Sequence, residues 1–247
     1  MALASMSEIF ERMARNGQEF WEVVLADDMD ERQVSREASM AKMLTTWQAM
    51  QDAADSYTGR KRSVSGLVGG DGMKMRQYTF RGCAMTGGYV SEVIAEALSM
   101  AESNACMRRI VAAPTAGACG VLPAVLLPLC KYEELTQHQL LEALYVAAGI
   151  GSIIAYKASI AGASGGCQAE IGTASAMAAG ALVALRGGEG EQIGHAVAMA
   201  LKNLMGLVCD PVAGLVEVPC VKRNVIGAVN AVSAADMALA GIESRIP

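Results

Sequence analysis

Three long stretches of this chain carry no charged residue: Ile110 to Cys130, Ala143 to Tyr156 and Ile171 to Leu185. So much apolar surface must be hidden in a protein core or in lipid. Lipid fits poorly. Ile110 to Cys130 is long enough to span a bilayer, but Pro114, Pro123, Pro128, Gly117 and Gly120 interrupt it. The other two stretches are shorter than a typical span, are bounded by Lys157, Glu170 and Arg186, and lack an aromatic belt. A protein core is expected, and no membrane.

No segment sustains period-2 alternation with β-branched enrichment, so a sheet is not expected. The chain is 53% hydrophobic but only 4% aromatic, with 16 Met and 26 Gly, which suits closely approaching helices. The expected fold is all-α, a bundle of hydrophobic helices with Gly-rich site loops. Helices are expected over 5–28, 32–56, 89–103, 120–132, 136–156, 169–186, 189–205 and 223–241. In the second, Met40, Met43, Leu44 and Trp47 follow helical spacing. Thr136 with Gln139 forms a capping box at the start of the fifth. Residues 58–88 read as loop, and the joints Ala161 to Gly166, Gly187-Gly188 and Gly206 to Pro219 are again glycine-bearing. One domain over 1–247 is expected, with 1–57 as an amphipathic helical N-terminal part.

The formal net charge is −5, which leaves no electrostatic footprint for nucleic acid. Arg60-Lys61-Arg62, the longest basic cluster, reads as a solvated loop. Seven cysteines at irregular spacing do not form a disulfide framework. The charged, amphipathic stretch from Met1 to Asp30 is no secretory signal. A reducing cytoplasmic setting is expected, with thiols free for metal.

Cys167, Cys209 and Cys220 each lie at an expected helix boundary beside Gly or Pro. Glycine lets backbone approach a bulky group, and proline fixes the loop. Cys83 shares some of this, Cys119 is intermediate, and Cys106 and Cys130 read as core or helix-end thiols. There is no C-x-x-C pair, so spacing names no metal, and buried hydrophobic thiols remain the alternative. The two histidines offer little: His138 reads as a surface residue, and His195 is a weak candidate for a catalytic base. Gly69-Gly70-Asp71-Gly72 could take a carboxylate or phosphate on backbone N–H groups.

Three segments taken as strings resemble the α subunit of bacterial iron–sulfur L-serine dehydratases. They are Ala112-Ala113-Pro114-Thr115-Ala116-Gly117-Ala118-Cys119-Gly120, Gly165-Gly166-Cys167-Gln168-Ala169-Glu170, and the long run from Gly206 to Asn224 with Cys209-Asp210-Pro211 and Val218-Pro219-Cys220. Ser65-Gly66-Leu67-Val68-Gly69-Gly70-Asp71 is similar to that family's early glycine motif. The resemblance implies an all-α catalytic domain and a [4Fe–4S] cluster on Cys167, Cys209 and Cys220, one iron being left without a thiolate from this trio. It implies elimination of water from L-serine to give pyruvate and ammonia without pyridoxal phosphate.

Within the same resemblance, Ser65, Asp71, Thr115 and Gly117 are the nominated substrate-binding residues, Asp71 facing the ammonium. A separate β subunit, a homo- or hetero-oligomer and inactivity without the β partner are implied as well. Lys157 and Ala116 stand where family members commonly carry Asn. Family sequences usually run on past Pro247, and no cysteine follows Cys220, so no tail thiolate for the fourth iron is expected here. A cysteine desulfidase-type lyase of the same fold and a non-catalytic metal-holding helical module are the competing readings.

Overall fold

A computed structural model describes residues 3–246; the first two residues of the amphipathic N-terminal stretch, Met1 and Ala2, and the closing Pro247 lie outside the described residues. The described residues form eleven α-helices and no strand, with 69% of the structure helical. In chain order the helices are α1 (Met6–Asn16), α2 (Phe20–Arg32), α3 (Arg36–Asp55), α4 (Asp71–Phe80), α5 (Gly87–Ala105) and α6 (Val121–Tyr132). They continue with α7 (Gln137–Lys157), α8 (Gly162–Gly165), α9 (Cys167–Leu185), α10 (Gly190–Asn203) and α11 (Cys220–Leu239). The all-α expectation is met.

The organising element is α9. From Ile171 to Val183 every residue is buried, as befits a helix that is apolar all round. Helices α6, α7, α10 and α11 surround it. Small residues make this possible. A Cβ at Gly180 would collide with Ile150 of α7, and one at Gly227 would sit 2.7 Å from Ile171. Glycine inside a helix costs about 1 kcal/mol relative to alanine. The close packing it permits offsets that, since fully burying one Ile or Leu side chain is worth roughly 1.5–3 kcal/mol.

Leu201 lies over Gly172 while Ile193 and Val197 lie over Gly180, so α10 runs antiparallel to α9. Helix α7 is by length and composition apolar enough to cross a membrane, and most of its apolar window is buried inside the protein. It starts at Gln137 and is therefore longer than the uncharged stretch from Ala143 suggests. Its N-terminus carries the expected capping box of Thr136 and Gln139.

Several elements differ from expectation, among them the single-turn α8 inside the joint expected over Ala161 to Gly166 and α2, which runs on to Arg32 so that α3 begins only at Arg36. The helix expected over 5–28 is two helices, because Gly17 at φ 62° ends α1 in the left-handed region. Within the expected 58–88 loop lies α4. It buries only Gly72, so no apolar stripe marks it in the sequence. The helices α9 and α11 begin at Cys167 and Cys220 themselves, a few residues earlier than expected. These cysteines are therefore first-turn residues, where unpaired N–H groups favour negative charge.

A small second apolar cluster of Val68, Leu98, Ala101 and Val221 ties the glycine loop before α4 to α5 and to the first turn of α11. That cluster brings residues 58–71 to the same end of the bundle as Cys220.

Candidate functional site

The heads of α9 and α11 meet three loops: 113–120, 158–166 and 206–219. Gly166, at φ 78° and ψ 173°, turns the chain into α9. A Cβ there would lie 3.0 Å from the Leu207 carbonyl, so the 206–209 backbone passes directly over it. The contact is fastened by Gln168, whose N–H donates to the Leu207 carbonyl at 2.8 Å and whose Oε1 accepts from the Gly206 N–H at 2.7 Å. These bonds set the Cys209 loop beside Cys167. On α11, the buried Asn224 donates to the Gly117 carbonyl at 2.8 Å and accepts from the Gly120 N–H at 2.9 Å. That pair of bonds docks the 113–120 loop beside Cys220.

The three sequence-nominated cysteines thus converge from distant segments. Cys167 is buried, Cys220 half-buried and Cys209 exposed, and all are free thiols. Burial pushes the Cys167 thiol up; the Arg223 guanidinium beside it opposes this, while Cys209 and Glu170 add to the rise. Burial likewise raises Cys220, reinforced by the Cys167 thiol, Glu170 and Cys209. The thiols therefore lie within electrostatic reach of one another. Yet among the described residues no group of three or more His, Cys, Asp or Glu side chains closes tightly enough to hold a single metal ion. Three soft sulfur donors from three segments, with no histidine or carboxylate closing on a single ion with them, fit an iron–sulfur cluster, whose ligands are thiolates.

The other nominated residues occupy the same end of the bundle, each with an internal partner. The Ser65 hydroxyl donates to Glu217, as does Ser63 at 2.7 Å. Asp71 is bridged to Lys74 at 2.8 Å and to Lys222 at 2.9 Å, and these ammonium groups hold its carboxyl below the ordinary range. Thr115 donates to Glu170 Oε1. A Cβ on Gly117 would collide with that same carboxylate.

The backbone N–H groups of Gly70, Asp71 and Gly72 point at the Glu102 carboxylate, at 3.0, 2.8 and 3.4 Å. His195 is not brought to the cysteines. It lies between Ile193 and Val197, level with Gly180, and its Nδ1 faces Ser244 at 3.2 Å. Thirteen residues separate Gly180 from Cys167, roughly 20 Å of helix at 1.5 Å per residue.

Of the other cysteines, Cys83 is exposed in the joint between α4 and α5, and Cys106 and Cys130 are partly buried. Cys119 is fully enclosed, and burial pushes its thiol up to about 12. His138 is exposed and faces Glu142 at 3.2 Å, as a surface residue should.

Sequence reasoning missed the polar residues that assemble the site. Glu170 stands one turn after Cys167, with Thr115 on one oxygen and with Gly162 leaving room beside the other: a Cβ there would be 2.7 Å from Oε2. Its signal was present, since it is the single charge between Cys167 and the apolar run of α9. Arg223, Asn224 and Glu102 carried no comparable mark.

A separate cavity of about 480 Å³ opens at the other end of α4 and α5, lined by Asp55, Arg76, Phe80, Glu92, Glu96 and Lys131 among others. Glu96 Oε2 accepts from Arg76 at 2.9 Å, while its buried Oε1 has no hydrogen-bond partner.

Comparison with known proteins places these features. Residues 15–247 match the family model for the serine dehydratase alpha chain. A probable L-serine dehydratase alpha chain of Bacillus subtilis is 45% identical over 226 residues, covering 92% of this chain and 75% of the relative. The L-serine dehydratase alpha chain of Peptoniphilus asaccharolyticus is 37% identical over 246 residues, covering 99% of this chain and 84% of the relative. L-serine dehydratase 2 of Escherichia coli is 49% identical over 144 residues, which are 58% of this chain and 32% of that longer protein.

Proposed function

This chain belongs to the serine dehydratase alpha-chain family of ammonia-lyases, and from that premise we propose that Cys167, Cys209 and Cys220 hold a [4Fe–4S] cluster at which water is eliminated from L-serine. The observation that carries the reading is the convergence of three free thiols from three segments, with Cys167 and Cys220 opening α9 and α11 and the Cys209 loop fastened beside Cys167 by Gln168 and Arg223. Bound there, the cluster would supply a Lewis-acidic iron for the substrate hydroxyl.

The chain's own residues do the rest. Cys167 and Cys220 take the first turns of α9 and α11, where helix dipoles favour their anionic forms. Glu170, with Thr115 fixing Oε1, is the carboxylate poised to take the Cα proton. Loss of that proton and of the hydroxyl leaves an aminoacrylate, which tautomerises to the imine and hydrolyses to pyruvate and ammonia. No pyridoxal phosphate enters this scheme. Ser65, Asp71, Thr115 and Gly117 frame the substrate side of the site. Their internal partners make them wall and orienting groups.

A separate β subunit completes the enzyme in this reading. Support comes from relatives named as alpha chains and from the longer Escherichia coli relative, of which this chain matches one third. The setting is cytoplasmic and the assembly an oligomer.

Anaerobic reconstitution with iron and sulfide tests the cluster. A brown chromophore that Cys209→Ala abolishes is expected. A colourless product, or a chromophore indifferent to that substitution, overturns it. Pyruvate release from L-serine, L-threonine and L-cysteine, with and without an added β chain, tests the substrate and the partner.

A further inference from the structure

Arg223 touches every cysteine-bearing segment of the site. Its Nη1 donates to Cys167 Sγ at 3.1 Å and to the Val208 carbonyl at 2.9 Å, and pairs with Asp210 Oδ1 at 2.5 Å. Val208 and Asp210 are the two neighbours of Cys209 in the chain. Arg223 itself sits one turn after Cys220, on the helix that Cys220 begins. One terminal nitrogen therefore meets the first cysteine and both flanks of the second, from the helix of the third.

The Arg223 side chain is only 14% exposed. A charge so enclosed is costly unless it is paired and hydrogen-bonded, and its partners here are the site itself. No other arginine or lysine side chain of the described residues donates to a cysteine sulfur.

We propose that Arg223 is a positioning residue for the cluster: it hydrogen-bonds the Cys167 sulfur and clips the Cys209 loop into ligating position. This rests on the reading of the three cysteines as cluster ligands. Two consequences separate it from a mere loop tether. An N–H···S bond and a positive charge beside a ligand sulfur favour the reduced, more negative cluster, so they raise its reduction potential. Groups that orient metal ligands typically change metal affinity 10–100-fold when removed. Lysine keeps the charge but carries it on a shorter, flexible stem, without the rigid guanidinium plane that holds Nη1 against sulfur, carbonyl and carboxylate.

The experiment uses the full chain, reconstituted anaerobically as wild type, Arg223→Gln, Arg223→Lys and Asp210→Asn. Three quantities are read: iron per chain, rate of iron loss to a chelator, and midpoint potential of the cluster. Thermal stability of the metal-free proteins is the control.

Arg223→Gln is expected to lose iron about 10–100-fold faster and to show a more negative potential. Arg223→Lys should recover part of the potential and little of the retention. Asp210→Asn should accelerate iron loss without making the potential more negative, because the sulfur contact is kept and a negative charge is removed. Wild-type loss rate and potential in both Arg223 variants would overturn the proposal, whatever happens to metal-free stability. A wild-type chain that takes up no iron would instead overturn the cluster reading, and this inference with it.

Discussion

Two glutamates on α5, six residues apart, live in opposite circumstances. Glu102 is buried at the site end and accepts the N–H groups of Gly70, Asp71 and Gly72 together with the Tyr57 hydroxyl. Glu96, facing the cavity end, has Arg76 on one oxygen and nothing on the other. The first is a carboxylate seated at a helix N-terminus, the arrangement that binds free anions elsewhere, supplied here from within the chain. The second is a half-satisfied buried group whose carboxyl burial pushes up, with Arg76 pulling it back. The contrast divides the molecule. At the cysteine end polar groups are used to fix loops; at the cavity end they are left partly idle.

The strongest way to break this contrast is to remove the satisfied carboxylate. Glu102→Ala leaves three backbone N–H groups and the Tyr57 O–H without an acceptor, each worth about 1–3 kcal/mol when buried. A loss on the order of 4 kcal/mol is expected by chemical denaturation. A loss below about 1 kcal/mol would mean that water or side chains replace Glu102 freely.

Glu170→Gln keeps the shape beside Thr115 and Gly117 but removes the carboxylate we propose as the base. Turnover of the loaded, β-complemented enzyme should fall by about 100-fold or more, with iron content unchanged. Undiminished turnover would show that another group takes the proton.

Asn224→Ala strips the bonds between α11 and the 113–120 loop, and roughly 2 kcal/mol should be lost. The loop amides near Gly117 and Gly120 should exchange faster in hydrogen-exchange measurements, while the α10 interior stays protected.

Glu96→Gln should do least. The raised carboxyl pKa means that the folded chain holds this proton more tightly than the unfolded one. Stability contributed by the group is present below the ordinary value of 4.5 and is lost as pH rises through the raised folded value. Glutamine cannot titrate, so the variant should match or exceed the parent at neutral pH by up to about 1 kcal/mol. Its stability profile above pH 4.5 should also be flatter. A clear loss at neutral pH would show that the Arg76 bond outweighs the burial cost.

Much of this architecture is legible in the chain without coordinates. The uncharged runs announce α6, α7 and α9, Thr136 and Gln139 announce a helix start, and Gly or Pro beside three cysteines marks the site. Helix α4 is invisible for a physical reason: it is a surface helix that buries only Gly72, so nothing repeats at helical spacing.

The polar framework is hidden for another reason. Glu102 finds Gly70 thirty-two residues away, Glu170 finds Thr115 fifty-five away, and Asn224 finds Gly117 one hundred and seven away. No local pattern encodes such pairs. The backbone N–H groups of the glycine motif suggest a place for a carboxylate or phosphate, and in the structure they point at Glu102 of α5. The elimination chemistry lay furthest from composition and spacing, which name three thiols but no metal. Family likeness supplied it.

The burial of α9 on every side has one more consequence. A helix gripped by its neighbours from Ile171 to Val183 moves as a rod. Enlarging Gly180, deep in the bundle, would therefore push on Ile150 and slide or tilt the whole rod, and the displacement would surface at Cys167. The tolerance of the cysteine end is in this sense set by machining done about 20 Å away, and residues with no chemical role still decide how far apart the sulfurs stand.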